Sequence, residues 1–306
     1  MKIAGFTIIR NAVQNDYPVV EAITSILPLV DEMIVSVGDS EDSTLELIGS
    51  IISSKIKIVQ SIWDPNLRQG GRVLAVETDK AFRQIASDCD WAFYIQADEI
   101  VHEQYHPAII EAAKKYKNDT EVEGLLFNYL HFYGTYDYIG DSRKWYDKEV
   151  RIIRNDLRIH AYRDAQGFRK NGEKLQVKPI NATIYHYGWV RSPSLMMNKQ
   201  KSFMQFWEVQ EEWKEFVETN NVYDYNEFDS IAIFQGTHPN VMKKRISEKN
   251  WQVTLDLRKK NFSLKNRFLY WIEKKTGKRY LVIKTIKLFS NTDSCTLQVI
   301  TFRTDC

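Results

Sequence analysis

Cysteine is scarce in this chain of 306 residues, and the three present, Cys89, Cys295 and Cys306, are odd in number and widely spaced. That pattern excludes a disulfide-stapled scaffold and a CxxC metal knuckle, and it points to a reducing, cytoplasmic setting. Long apolar runs are also missing: no stretch approaches the about 20 residues that cross a bilayer, so membrane contact would be peripheral, on the inner face of the cell membrane. The opening MKIAGFTIIRN has no small-residue cleavage site and reads as a first strand rather than a leader. No internal repeat and no low-complexity linker divides the chain.

What is present suffices for a substantial core, since 43% of the residues are hydrophobic and 13% aromatic. The net charge of +2 is unevenly spread. Residues 243–287 hold fifteen Lys/Arg against three Asp/Glu, a balance of +12, which leaves −10 for the rest. Up to position 120 strand and helix signals alternate: KIAGFTIIR, then DYPVVEAITSILPLV, DEMIVSVGD, STLELIGSIIS, KIKIVQSIW, a helix opened by Gly70-Gly71, and WAFYI. Such alternation predicts an α/β fold with a mostly parallel sheet covered on both faces. Beyond 120 come aromatic-rich strands, GLLFNYLHFYGTYDYIG, KEVRIIRN and NATIYHYGWV, which begin a second sheet or an acceptor region. From about 194 the pattern is helical, with Phe203, Phe206, Trp207, Trp213 and Val217 forming a stripe of the kind that usually packs into a core. The expected organisation is a donor-binding half over 1–120, acceptor-side strands and loops of the same domain over 121–193, and a helical, basic region over 194–306.

Polar residues collect at the strand ends. Thr7, Arg10 and Asn11 are expected just beyond the first strand, and Gly38-Asp39 with Ser40 to Thr44 just beyond the second. An acid such as Asp39 can accept hydrogen bonds from a nucleobase or a ribose hydroxyl, whereas Ser43 or Thr44 can equally cap the next helix.

Taken together, GFTIIRN, VVEAITSILP, DEMIVSVGDSEDST, the helix led by Gly-Gly-Arg72, and IQADEIV after WAFYI resemble the family 2 glycosyltransferases over roughly residues 1–190. The resemblance implies a GT-A fold, a nucleotide-sugar donor, and a saccharide or lipid-linked saccharide acceptor of the kind used for bacterial surface polysaccharide or lipopolysaccharide. It implies donor contacts at Thr7, Arg10, Asn11, Asp39, Arg72, Gln96 and Asp98. IQADEIV resembles the LDADE form of the family's metal motif, which places Asp98 on Mg²⁺ or Mn²⁺, with His186 of IYHYGWV as second ligand. Gln96 stands where many relatives carry an acid, so the motif brings less charge to the metal.

Inverting transfer, the usual outcome in the family, needs a carboxylate to accept the acceptor's hydroxyl proton. Asp164 in YRDAQGFRKNG is one candidate, Asp147 and Glu149 in KWYDKEVRIIRN are rivals, and Glu99 is a further alternative. Trp145, Tyr146, Tyr162 and Trp189 can stack on sugar faces or simply pack. A non-catalytic sugar-nucleotide binder is the alternative from another class.

A second motif overlaps the first. His102-Glu103-Gln104-Tyr105-His106 matches HExxH, which in zinc proteases needs both histidines on one face of a continuous helix. Pro107 biases His106 away from helical geometry, and no third ligand pattern is near, so the match reads as accidental. Finally, the basic stretch 243–287 interleaves cations with Trp251, Phe262, Phe268, Tyr270, Trp271 and Tyr280. That composition suits a solvated charged helix or an anionic membrane surface, and less so nucleic acid.

Overall fold

The computed structural model describes residues 1–67, 69–207, 211–277, 279 and 287–288. The side chain of Trp213, Tyr280, Cys295, Cys306 and the segment 289–306 lie outside the described residues. The chain begins with β1 (Ile3–Ile9), α1 (Val19–Ile26), β2 (Glu32–Val37), α2 (Thr44–Gly49), β3 (Ile56–Gln60), α3 (Arg72–Phe82) and β4 (Trp91–Tyr94). It continues with β5 (Glu99–Val101), α4 (His106–Tyr116), β6 (Gly124–Gly140), β7 (Lys148–Arg154), β8 (Ile159–Tyr162), β9 (Gly167–Lys170), β10 (Glu173–Lys174) and β11 (Gln176–Val190). Then come α5 (Pro193–Phe203), α6 (Glu211–Thr219), β12 (Ile231–Ile233), α7 (Lys243–Ser247), α8 (Leu264–Thr276) and β13 (Lys287–Leu288).

The expected α/β architecture with a mostly parallel central sheet is the one observed. Its strand order is β13-β11-β6-β7-β4-β1-β2-β3, with β12 added to β6 and β5 to β11. In the parallel block β3-β2-β1-β4 the strands β1, β2 and β4 are buried throughout and largely apolar because they are covered on both sides, whereas the edge strand β3 is partly exposed. In β1, Ile3 and Ile9 pack with α1, while Ala4, Phe6 and Ile8 face Val73, Ala81 and Phe82 of α3, the alternation that a pleated strand imposes. Gly5 is required by close packing: a Cβ there would stand 2.5 Å from Met33 Sδ.

The aromatic strands beyond 120 do not start a separate large sheet. β6, β7 and β11 extend the first one, β7 entering antiparallel between β4 and β6, and only β8, β9 and β10 form a small three-stranded sheet of their own. The C-terminal region is helical but returns two strands to the sheet, β12 to β6 and β13 to β11. The aromatic stripe expected there is not continuous, because α5 ends at Phe203, a 3-10 turn covers Met204–Phe206, and Trp207 is extended. Among the described residues no helix is long and apolar enough to cross a membrane.

Candidate functional site

β1 and β2 run in register to Ile9 and Val37, so their following loops meet at one sheet edge, as expected. Arg10 Nε lies 3.1 Å from the Asp39 carbonyl and 3.4 Å from its Oδ1, and Asn11, at φ 52°, accepts the Glu41 amide on Oδ1 at 2.8 Å. Two expectations are corrected here. Thr7 lies inside β1, not beyond it, and is buried, and its hydroxyl donates to the neighbouring Ile8 carbonyl at 3.4 Å. Neither Ser43 nor Thr44 caps α2: the Thr44 amide bonds Asp42 Oδ1 at 3.0 Å, while Thr44 Oγ1 accepts the Ala12 amide at 2.7 Å and ties the two loops together.

A cleft of about 410 Å³ opens beside this edge, at the C-terminal ends of the parallel strands, where open α/β sheets bind ligands. Arg10, Gln96, Asp98, Asp164 and His186 line it together, although 154 residues separate Arg10 from Asp164. Trp63, Tyr146, Trp189, Phe203 and Phe206 supply aromatic walls, and Phe206 also packs against the core beneath, as expected of it. Asp39 sits at the rim: its Oδ1 accepts the Trp63 amide at 3.1 Å, and it is not among the described lining residues. Arg72 is exposed on a neighbouring cleft of about 670 Å³, which shares Asp164 and Gln166 with the first.

The centre of the cleft is built by three strands. His186 on β11 faces Glu99 of β5 on one side and His131 of β6 on the other, and the register slips between His186 and Trp189, a bulge of the kind that re-aims side chains beside functional sites. His131 Nε2 stands 3.0 Å from the Tyr146 carbonyl, which only accepts, so Nε2 carries the proton. Burial pushes both imidazoles below their ordinary range, so both rings are neutral. His131 Nδ1 is then an acceptor, and His186 Nδ1 donates to it at 3.1 Å. The consequence is a bare lone pair on His186 Nε2, 3.6 Å from Asp98 Oδ1.

A lone pair facing a carboxylate repels it unless a cation intervenes. The room for one is kept by Gly188, whose Cβ, if it had one, would lie 2.5 Å from His186 Nε2 and 2.8 Å from Asp98 Oδ2. Asp98 and His186 therefore fit a divalent cation, with one carboxylate oxygen and one imidazole nitrogen on either side of the space that a Gly188 side chain would fill. Among the described residues no three His, Cys, Asp or Glu are placed to hold a metal ion together, so further ligands would come from substrate and water. The acid is held ionised: burial pushes Asp98 up, but the Lys199 ammonium and the Arg191 guanidinium outweigh it and hold the carboxyl below its ordinary range. Lys199 Nζ lies 3.3 Å from Asp98 Oδ2 and 2.9 Å from the Gly188 carbonyl, and burial lowers it to about 8. Arg191, wholly buried, donates from Nε to the Asn15 carbonyl at 2.7 Å, and its Nη2 has no partner among the described residues.

Of the base candidates, only Asp164 lines the cleft. It is flanked by Arg163 and Ala165 at φ 57° and 62°, a left-handed conformation unusual for residues with side chains, and burial raises its carboxyl. Glu149 is buried beneath, accepts Gln166 Nε2 at 2.8 Å, and is pushed up by burial to about 7. Asp147 is turned to Arg279 at 3.5 Å, and Glu99 is locked by Arg151 at 2.8 and 2.6 Å and by Tyr129. Sequence reasoning missed Lys199, Gly188, His131 and Arg191. Strand alternation in HYG could have paired His186 with Gly188; nothing in the sequence marks Lys199, which a helix carries back over the cleft.

The HExxH side chains are engaged elsewhere: His102 Nε2 with Thr237 at 2.9 Å, His106 Nε2 with the Ser25 carbonyl at 3.0 Å, and Glu103 with the Asn240 amide at 3.2 Å. His106 is helical despite Pro107, which occupies the first turn of α4, a correction to the expected bias. The break falls earlier, at His102, which is extended and caps the turn, so the two histidines do not share a helix.

No protein-family model matches the chain. No curated protein matches it either. Among solved structures, S. aureus TarS 1-349 is similar at 14% identity over 71% of this chain and 69% of its own, with a TM-score of 0.37. Glucosyl-3-phosphoglycerate synthase from Mycobacterium tuberculosis, in complex with Mn²⁺, uridine-diphosphate and phosphoglyceric acid, is similar at 22% identity over 42% of this chain and 43% of its own, with a TM-score of 0.29. The 4-diphosphocytidyl-2C-methyl-D-erythritolsynthase from Anaerococcus prevotii DSM 20548 covers 67% of this chain and 96% of its own at 9% identity, with a TM-score of 0.39. These likenesses are partial, and the chemistry of the cleft stands on its own geometry.

Proposed function

We propose that the chain is a glycosyltransferase of the GT-A type that moves a hexosyl unit from a nucleoside-diphosphate donor to a saccharide or lipid-linked saccharide hydroxyl. The carrying observation is the bare His186 Nε2 opposite Asp98 Oδ1 across the gap kept by Gly188, in an aromatic-walled cleft at the C-terminal sheet edge. A divalent cation bound there would act as a Lewis acid on the leaving diphosphate. Lys199 and Arg10 add fixed positive charge on the same path, and Trp63 and Phe206, 5.2 Å apart, offer ring faces to base or sugar. In this reading the acceptor oxygen bonds the anomeric carbon as the carbon–phosphate oxygen bond breaks, the diphosphate leaves with the electron pair, and Asp164 takes the hydroxyl proton. Such a displacement inverts the anomeric centre.

Gln96 favours a second reading, a sugar-nucleotide binder without turnover, because a neutral amide stands in the metal motif. The bacterial surface-polysaccharide setting follows from the family resemblance alone.

Calorimetric titration of UDP, GDP and CDP, with and without Mn²⁺, into wild type and Asp98→Asn tests the proposal. Binding of one nucleotide that needs Mn²⁺ and is lost in the variant is expected. Absence of binding by all three, or binding untouched by Asp98→Asn, would overturn it. Hydrolysis or transfer from the matching nucleotide sugar separates the enzyme from the binder.

A further inference from the structure

α8 shows its apolar side to solvent. A serine cap starts the helix, with Ser263 accepting the Asn266 amide, and Gly277 at φ 65° ends it. Its inward side is fixed by buried Leu269, by Tyr270 Oη donating to Asp141 at 2.5 Å, and by Glu273 accepting from Arg143 Nη1 at 2.6 Å. The opposite side carries Leu264, Phe268 and Trp271, at i, i+4 and i+7, which are 84%, 61% and 52% exposed. Phe268 and Trp271 are stacked with centroids 6.1 Å apart, and Lys275, one turn on, holds its ammonium 4.6 Å from the Trp271 ring.

Charge on this helix is sorted as strictly as polarity. Lys265, Arg267 and Lys275 are exposed around the apolar stripe, whereas Lys274 is paired with Asp141 at 2.7 Å and Glu273, the helix's single acid, is turned to the protein body. We propose that this face of α8 docks the protein on an anionic lipid surface. Cations at headgroup level meet lipid phosphates while Leu264, Phe268 and Trp271 enter the acyl boundary, and tryptophan is favoured at that depth. A nucleic acid would take the cations but offer nothing to Leu264 or Phe268. The inference does not depend on sugar transfer, since binding is read without donor or acceptor.

The test is flotation of the full chain with vesicles of phosphatidylcholine alone, or with about 30 mol% phosphatidylglycerol, at about 0.05 M and about 0.5 M NaCl. Expected is binding to the anionic vesicles only, weakened by salt. Phe268→Ser with Trp271→Ser should weaken it about tenfold, and Lys265→Glu with Lys275→Glu by at least as much, roughly fivefold for each cation removed. All four side chains are exposed, so both variants should keep the fold, as circular dichroism would show. The proposal fails if wild type does not bind anionic vesicles at low salt, or if both variants bind as wild type does. It also fails if sedimentation shows a dimer that the aromatic variant dissolves, because the stripe would then be covered by a second copy.

Discussion

Gly188 has no side chain, yet the chemistry of the cleft turns on it. A methyl at this position would stand within contact of both His186 Nε2 and Asp98 Oδ2, and the residue has no left-handed φ, so Gly188→Ala is permitted by the backbone and excluded by the gap alone. Loss of Mn²⁺-dependent nucleotide binding by about two orders of magnitude, with an unchanged circular dichroism spectrum, is the expected calorimetric outcome. Retained Mn²⁺ dependence would put the cation elsewhere. Lys199→Met asks a different question of the same site. Its ammonium is poised beside Asp98 rather than bound irreversibly to it, so removing one charge-assisted contact should weaken nucleoside-diphosphate binding by about 2 kcal/mol while leaving the nucleoside monophosphate less affected. Equal losses for the two nucleotides would assign Lys199 a merely structural role.

At the scale of elements, the site depends on how β4 and α4 are anchored, because β4 delivers the Gln96–Asp98 loop. Arg154 of β7 lies over the Trp91 ring at 3.9 Å and donates to the carbonyls of Tyr116, Lys117, Asp119 and Val122, gathering the C-terminal end of α4 and the turn after it into one guanidinium. A lysine has neither the fork nor the planar face, so Arg154→Lys leaves carbonyls without a donor. The expected effect is a loss of about 2–4 kcal/mol in urea unfolding, with cleft binding retained in the folded fraction. A loss below about 0.5 kcal/mol would mean that water replaces those bonds. The βαβ order of these elements was legible because buried parallel strands must be continuous apolar runs. The break in the aromatic stripe after α5 was not, since Phe203, Phe206 and Trp207 have helical spacing and nothing local marks Trp207 as extended.

For the whole molecule, Glu149 gives a pH signature. Burial raises its carboxyl to about 7 in the folded chain, above an unfolded value of about 4.3. Between those values the folded state binds the proton and the unfolded state does not, so the contribution is fully present below about 4.3 and is lost as pH rises through about 7. The stabilisation lost is about 4 kcal/mol, at roughly 1.4 kcal/mol per pH unit. Urea midpoints for wild type should fall between about pH 5 and 8 relative to Glu149→Gln, which keeps a hydrogen-bonding side chain toward Gln166 without titrating. Parallel profiles for the two proteins would show Glu149 ionised throughout.

The α/β class, the order of its strands and helices, and the polar strand ends were determined by sequence alone, because periodicity and turn residues act over a few positions. Asp98, His186 and Asp164 were likewise visible as residue types at strand and turn positions. Tertiary structure decided which of them meet. Crossovers bring Arg10, Asp98, Asp164 and His186 to one cleft, withdraw Thr7 and Asp147, and bury Glu149, choices that depend on packing between segments far apart in the chain. The tautomer of His186 was beyond any local pattern, since it is set by His131 and the Tyr146 carbonyl across two strands. The outward turn of Phe268 and Trp271 was equally so, because composition names an amphipathic helix but only its anchors, Leu269, Tyr270 and Glu273, decide which side faces water.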